Sequence, residues 1–154
     1  MNWFKTDSRR MDHDRELLLR SQAIVSDPEL DMFFDELREE QAYRLTLRKK
    51  VLGLLELFSS DEQRFEQRRL QQRLESLLAV LRDLKILTSM HFLAFPRNQS
   101  ERFCLHPDYF VLEIDAGSLE RHAFYLQAET DLKDLVRKGD KAMTAFRRAS
   151  RKLL

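Results

Sequence analysis

Over residues 47–114 the chain passes from compact apolar helices into two short extended segments, and this order restricts its fold more than any other feature. Residues 47–58 (LRKKVLGLLELF) read as a compact apolar helix, closed by Ser59-Ser60-Asp61. Short polar side chains of that kind cap free N–H groups, so they signal a new helix start. Residues 61–87 follow as one helix or two, ending in the apolar phrase LLAVLRDLKIL. Two extended stretches come next, residues 91–95 and 102–105, separated by Pro96-Arg97-Asn98-Gln99-Ser100. Alternation around Phe92, and around Phe103 and Leu105, predicts a β-hairpin with a loop longer than two residues. Pro107 then interrupts the return strand, because proline donates nothing to a ladder. Residues 110–114 are a further strand or the lead into the next helix.

The flanking segments are helical by the same reasoning. Residues 12–25 carry Leu17, Leu18, Leu19, Ala23 and Ile24 on a broad apolar face. At Ser26-Asp27-Pro28-Glu29 the chain restarts, with Asp27 as the cap, Pro28 at the first helical position and Glu29 at the positive helix end. Leu30, Phe33, Phe34, Leu37, Ala42 and Leu45 then repeat at helical spacing. That helix either continues through Leu57 or breaks near residues 43–46. After the turn at residues 115–118, with Ser118 as its cap, residues 119–154 read as a helix with a stripe of Leu126, Leu132, Leu135, Val136, Met143 and Phe146, weakened or kinked at Gly139-Asp140 and prone to fray over its last ten residues. Only three Gly and three Pro in 154 residues, with 34% charged residues, also favour long helices with solvated faces. The expected fold is mainly α, divided as residues 1–46, an acidic helical region; 47–114, the centre; and 115–154, a basic helix.

A helix that ends in LRDLKIL and flows into a hairpin resembles the third helix and wing of winged-helix domains. The resemblance covers somewhat under half of the chain and rests on pattern. It implies a winged-helix-like centre, and a binding module in preference to a catalyst. In such a module the third helix enters the major groove and the wing touches the backbone or the minor groove. The residues placed to do so are Arg64, Arg68, Arg69, Gln71, Gln72 and Arg73, with Arg97, Asn98 and Gln99 at the wing tip. Arginine and glutamine suit that task, since they pair with guanine and adenine edges respectively. The competing reading is a solvated helix face, in which Glu62, Glu66 and Glu75 pair locally with the arginines.

Charge supplies a second candidate. The net charge is +1, yet residues 1–46 carry seven Lys/Arg against eleven Asp/Glu, and residues 133–154 carry eight against two. The basic tail, with Arg147, Arg148 and Arg151 among its cations, is suited to phosphates, to an acidic partner surface, or to solvent alone. If the winged helix serves protein contacts instead, as in small subunits of condensin-like complexes, then Phe33, Phe34 and Leu37 are the expected anchors for a partner or for a second copy.

Other chemistry is poorly represented. The sequence has no Gly-rich phosphate loop, Gly-x-Ser-x-Gly elbow or His-Glu-x-x-His motif, so no enzymatic activity, cofactor or small-molecule substrate is expected. Cys104, His106 and His91 share one hairpin, but without a second Cys a core position for Cys104 is the expected one. The lone cysteine points to a reducing compartment. No apolar run reaches the roughly 18 residues that span a bilayer, and the first residues lack a signal-peptide core. The expectation is a cytoplasmic protein with double-stranded DNA or a protein as its partner, and no membrane contact.

Overall fold

The computed structural model of the chain describes residues 3–94, 101–106 and 118–154. The elements run α1 (Trp3–Ile24), α2 (Asp27–Glu40), β1 (Ala42–Arg44), α3 (Leu45–Leu57), α4 (Arg68–His91), β2 (Leu93–Ala94), β3 (Arg102–Cys104) and α5 (Ser118–Ser150), with a final 3-10 turn, Arg151–Leu153. A mainly helical fold with a small three-stranded antiparallel sheet results, with strand order β1-β3-β2. No described helix is long and apolar enough to cross a membrane.

α2 begins as its sequence dictates, with one correction. Ser26, not Asp27, is the cap: its hydroxyl accepts from Glu29 N, and the Glu29 carboxylate accepts from Ser26 N, a reciprocal capping box. Pro28 lies in the first turn as expected. The helix stops at Gln41, which holds a left-handed φ of 50°. Ala42–Arg44 then pair with Arg102–Cys104, with Tyr43 opposite Phe103. Of the two readings of this stretch, the break near residues 43–46 is the one realised, and it takes the form of a strand. The Tyr43 ring stacks at 5.4 Å on Phe103 and at 5.5 Å on Phe92, contacts that favour the extended backbone here. The Gln41 side chain fixes the corner, accepting from Tyr125 Oη at 3.0 Å and donating to Glu129 at 2.7 Å.

Residues 61–87 are not one helix. Residues 58–67 form turns, and α4 starts at Arg68. Tertiary partners take the backbone groups that a helix would have used. Phe65 N donates to the Gln71 side chain at 2.9 Å, and Glu66 N and Gln67 N donate to Asp14 of α1 at 2.7 and 3.1 Å. Phe65 is buried between Phe58 and Phe146, with ring centroids 5.9 and 6.0 Å away.

One buried cluster draws on every described α-helix and the final turn, including Leu17, Phe34, Leu54, Leu81, Leu132 and Leu153. α5 is continuous through Gly139, where a kink was expected. Gly139 is instead a point of close approach: a Cβ there would stand 2.2 Å from the Phe34 ring. The end of the chain is also docked and does not fray, because Leu153 is fully buried and its carbonyl accepts from Arg15 Nε at 2.7 Å. Leu19 and Leu126, both expected to face inward, are exposed. Cys104 lies in the core, where burial pushes its thiol pKa up.

Candidate nucleic-acid interface

α4 exposes a stripe that changes character along its length. From its N-terminus the stripe reads Arg68, Arg69, Gln72, Arg73 and Ser76, then Ala79, Asp83, Ile86 and Met90. The first turns are cationic and polar, and the last are apolar. α5 runs against α4 so that Ala145, Arg148 and Ala149, with Lys152 of the final turn, face Gln67, Arg69, Leu70 and Arg73 across a shallow cleft. A second shallow surface, formed by Arg68, Arg69, Gln72, Arg73 and Ser76, continues it along α4. Five cations therefore converge here: Arg68, Arg69, Arg73, Arg148 and Lys152. No carboxylate lines either surface, and none of the five has an ion-pair partner among the described residues.

Like charges gathered without counterions raise the local potential and attract anions. Gln72 adds both a donor and an acceptor within the same surface.

The sequence-predicted residues separate accordingly. Arg68, Arg69, Gln72, Arg73 and Arg148 come together at the cleft, and Arg151 is exposed on the turn beside Lys152. Arg64 lies elsewhere, in a notch with Asp61 and Arg82, and pairs with Glu75 at 3.2 Å. Gln71 is buried and holds the Phe65 backbone, so it is a structural residue and offers nothing to a groove. Arg147, although adjacent to Arg148, turns inward to Asp31 at 2.8 Å and Asp27 at 3.5 Å. Its guanidinium is spent within the fold. Arg97, Asn98 and Gln99 lie outside the described residues. The β2 and β3 strands adjoin the C-terminus of α4, roughly 35 Å along the helix from the cationic end.

The expected protein-interaction anchors are corrected outright. Phe33, Phe34 and Leu37 are 2%, 0% and 1% exposed, because they form the face of α2 that packs against α5 and the sheet. Phe33 meets Phe34 edge-on at 5.9 Å and Tyr43 at 6.4 Å. Lys152, one of the basic-tail cations expected to meet phosphate, forms part of the cleft wall. Sequence reasoning missed Asp14, which holds the entry to α4; nothing local signals it, since it acts across more than 50 residues of chain. No match to the chain is found among models of protein families, curated proteins or solved structures.

Proposed function

We propose that this protein is a non-enzymatic, winged-helix-like module that binds double-stranded DNA through the cleft between α4 and the C-terminal turn. The winged-helix reading is supported by the succession α2-β1-α3-α4-β2-β3, with β3 between β1 and β2 and with α4 running directly into the hairpin. The single observation that carries the DNA reading is the set of five cations, drawn from two distant segments, with no carboxylate among them. Phosphate contact would come from Arg68, Arg69, Arg73, Arg148 and Lys152, and Gln72 is the side chain placed among them to meet a base edge. Contact would be confined to the N-terminal turns of α4, because Asp83, Ile86 and Met90 are poor neighbours for a phosphate backbone.

Fluorescence anisotropy with a labelled random-sequence duplex tests this. An Arg69→Ala/Arg73→Ala variant should bind roughly tenfold or more weakly, whereas Arg137→Ala, which removes a cation paired with Asp134, should bind as wild type does. Equal effects from the two variants would reduce the cleft to an ordinary solvated surface.

A second reading, a protein-interaction subunit of a larger assembly or homodimer, is favoured by one observation. Ile86 and Met90, on the apolar end of the α4 stripe, are 57% and 59% exposed. Absence of duplex binding even at low salt would favour it.

A further inference from the structure

The two walls of the cleft do not touch the same neighbours by chance of chain order. One is the entry to α4, and the other is the end of α5 with the turn that follows it, yet two adjacent residues of α1 reach the α4 entry and that turn. Asp14 is fully buried and accepts from Glu66 N with one oxygen and from Gln67 N with the other, at the point where α4 begins. Arg15 reaches the opposite way and donates to the Leu153 carbonyl at 2.7 Å, next to Lys152. The grip on the first wall is extended by His13 Nε2, 2.9 Å from the Arg64 carbonyl, and by Arg20, which donates to the Gln63 side chain at 2.9 Å.

Asp14 is costly where it stands. A buried carboxylate without a cation partner is held by its hydrogen bonds and by the positive end of a helix, here α4. Its charge also lies behind a cationic cleft, where it weakens attraction for phosphate. A carboxylate whose charge opposes the site, yet which holds one wall while its neighbour Arg15 holds the other, is explained by position.

We propose that Asp14 and Arg15 form a brace that sets the separation of the cleft walls, making α1 a positioning element for phosphate binding although it lines no part of the cleft. The inference rests on the DNA reading for its functional consequence and on the fold alone for the coupling of the walls.

The test has two arms on the full chain. Amide hydrogen exchange, followed by NMR, should show Asp14→Asn speeding exchange at Glu66 and Gln67 roughly tenfold or more, the scale of a charge-assisted hydrogen bond, with faster exchange in the Arg151–Leu153 turn as well. Duplex titration should show the same variant binding roughly three- to tenfold more weakly, with a shallower salt dependence as fewer phosphates are met together. Charge alone predicts the opposite sign, since the variant loses a negative group. Arg15→Ala should weaken binding and loosen the α4 entry, and Arg15→Lys, which keeps a donor, should largely restore both. If Asp14→Asn does not fold, amide exchange at Glu66 and Gln67 in the Arg15 pair decides the matter, because charge alone predicts the same order of binding for those two variants. Tighter or unchanged binding by Asp14→Asn, or loosening of one wall without the other, would overturn the brace. If wild type binds no duplex, the DNA reading fails while the exchange arm still decides whether the walls are coupled.

Discussion

The acidic face of α2 and the cleft at the start of α4 treat charge in opposite ways. On α2 nearly every acid has found a cation within the molecule. Asp27 and Asp31 share Arg147, Glu29 holds Lys50, Asp35 holds Arg38, Glu36 holds Arg44 at 2.6 Å, and Glu40 meets Arg102. Arg38 also reaches Asp140 of α5. At the cleft five cations stand without an acid. The charge asymmetry in the sequence, acidic at the front and basic at the end, is thus only partly cancelled by folding. The acids of α2 pair with cations of α3, α5, the sheet and α2 itself, while Arg148 and Lys152 of the tail join Arg68, Arg69 and Arg73 at the start of α4. A net charge near zero conceals this, because an ion pair inside the fold and a cation free for a ligand count equally in the sum.

The sharpest way to break the contrast is to unseat α2. Gly139→Ala places a methyl group against the Phe34 ring beside the Arg38–Asp140 pair. Overpacking of this kind costs about 1–3 kcal/mol, a loss of roughly 3–10 °C in a chain of this size. Thermal unfolding measures it, and an unchanged midpoint would mean that α5 does not press on Phe34 as described.

The contrast is sharpened by two neighbours on α5. Arg148→Ala should weaken duplex binding roughly three- to tenfold with little loss of stability. Arg147→Ala should do the reverse, leaving affinity within about twofold and lowering stability by about 1 kcal/mol or less, since its pairs are partly exposed. Equal losses of affinity would erase the distinction between paired and free cations.

The smallest effect concerns Glu29. The Lys50 ammonium, followed by the Ser26 amide and hydroxyl, draws its pKa from 4.5 down to about 2. The folded state therefore favours the ionised form. Its contribution to stability is complete above pH 4.5 and is lost as the pH falls towards 2. Glu29→Gln should flatten the pH dependence of unfolding across that window, as measured by denaturant melts. A profile identical to wild type would show that the Lys50 pairing has no thermodynamic weight.

Much of the fold was legible in the sequence. α2, α3, the apolar length of α4 and the hairpin follow from periodicity and turn chemistry. What escaped was set by partners far along the chain. β1 is three residues long and follows a non-glycine in the left-handed region, with no Gly to announce the corner. The seven residues before α4, six of them polar, look helical by composition, and Asp14 and Gln71, which claim the N–H groups of Phe65, Glu66 and Gln67, hold the last three otherwise. Gly139 reads as a helix breaker until Phe34 is seen against it. For the cleft, helical spacing along α4 found Arg68, Arg69, Gln72 and Arg73. The choice of Arg148 over Arg147 depends on which side of α5 faces α2, and hence on tertiary packing.

Whether the cleft cations are free to meet phosphate is read from a salt titration of the wild-type protein against a random-sequence duplex. Five cations at about 0.9 counterions each give a slope of log affinity against log salt of about −4.5 at most. A slope between about −3 and −4.5 is the predicted result. Binding that is absent at low salt, or that does not respond to salt, would contradict the account.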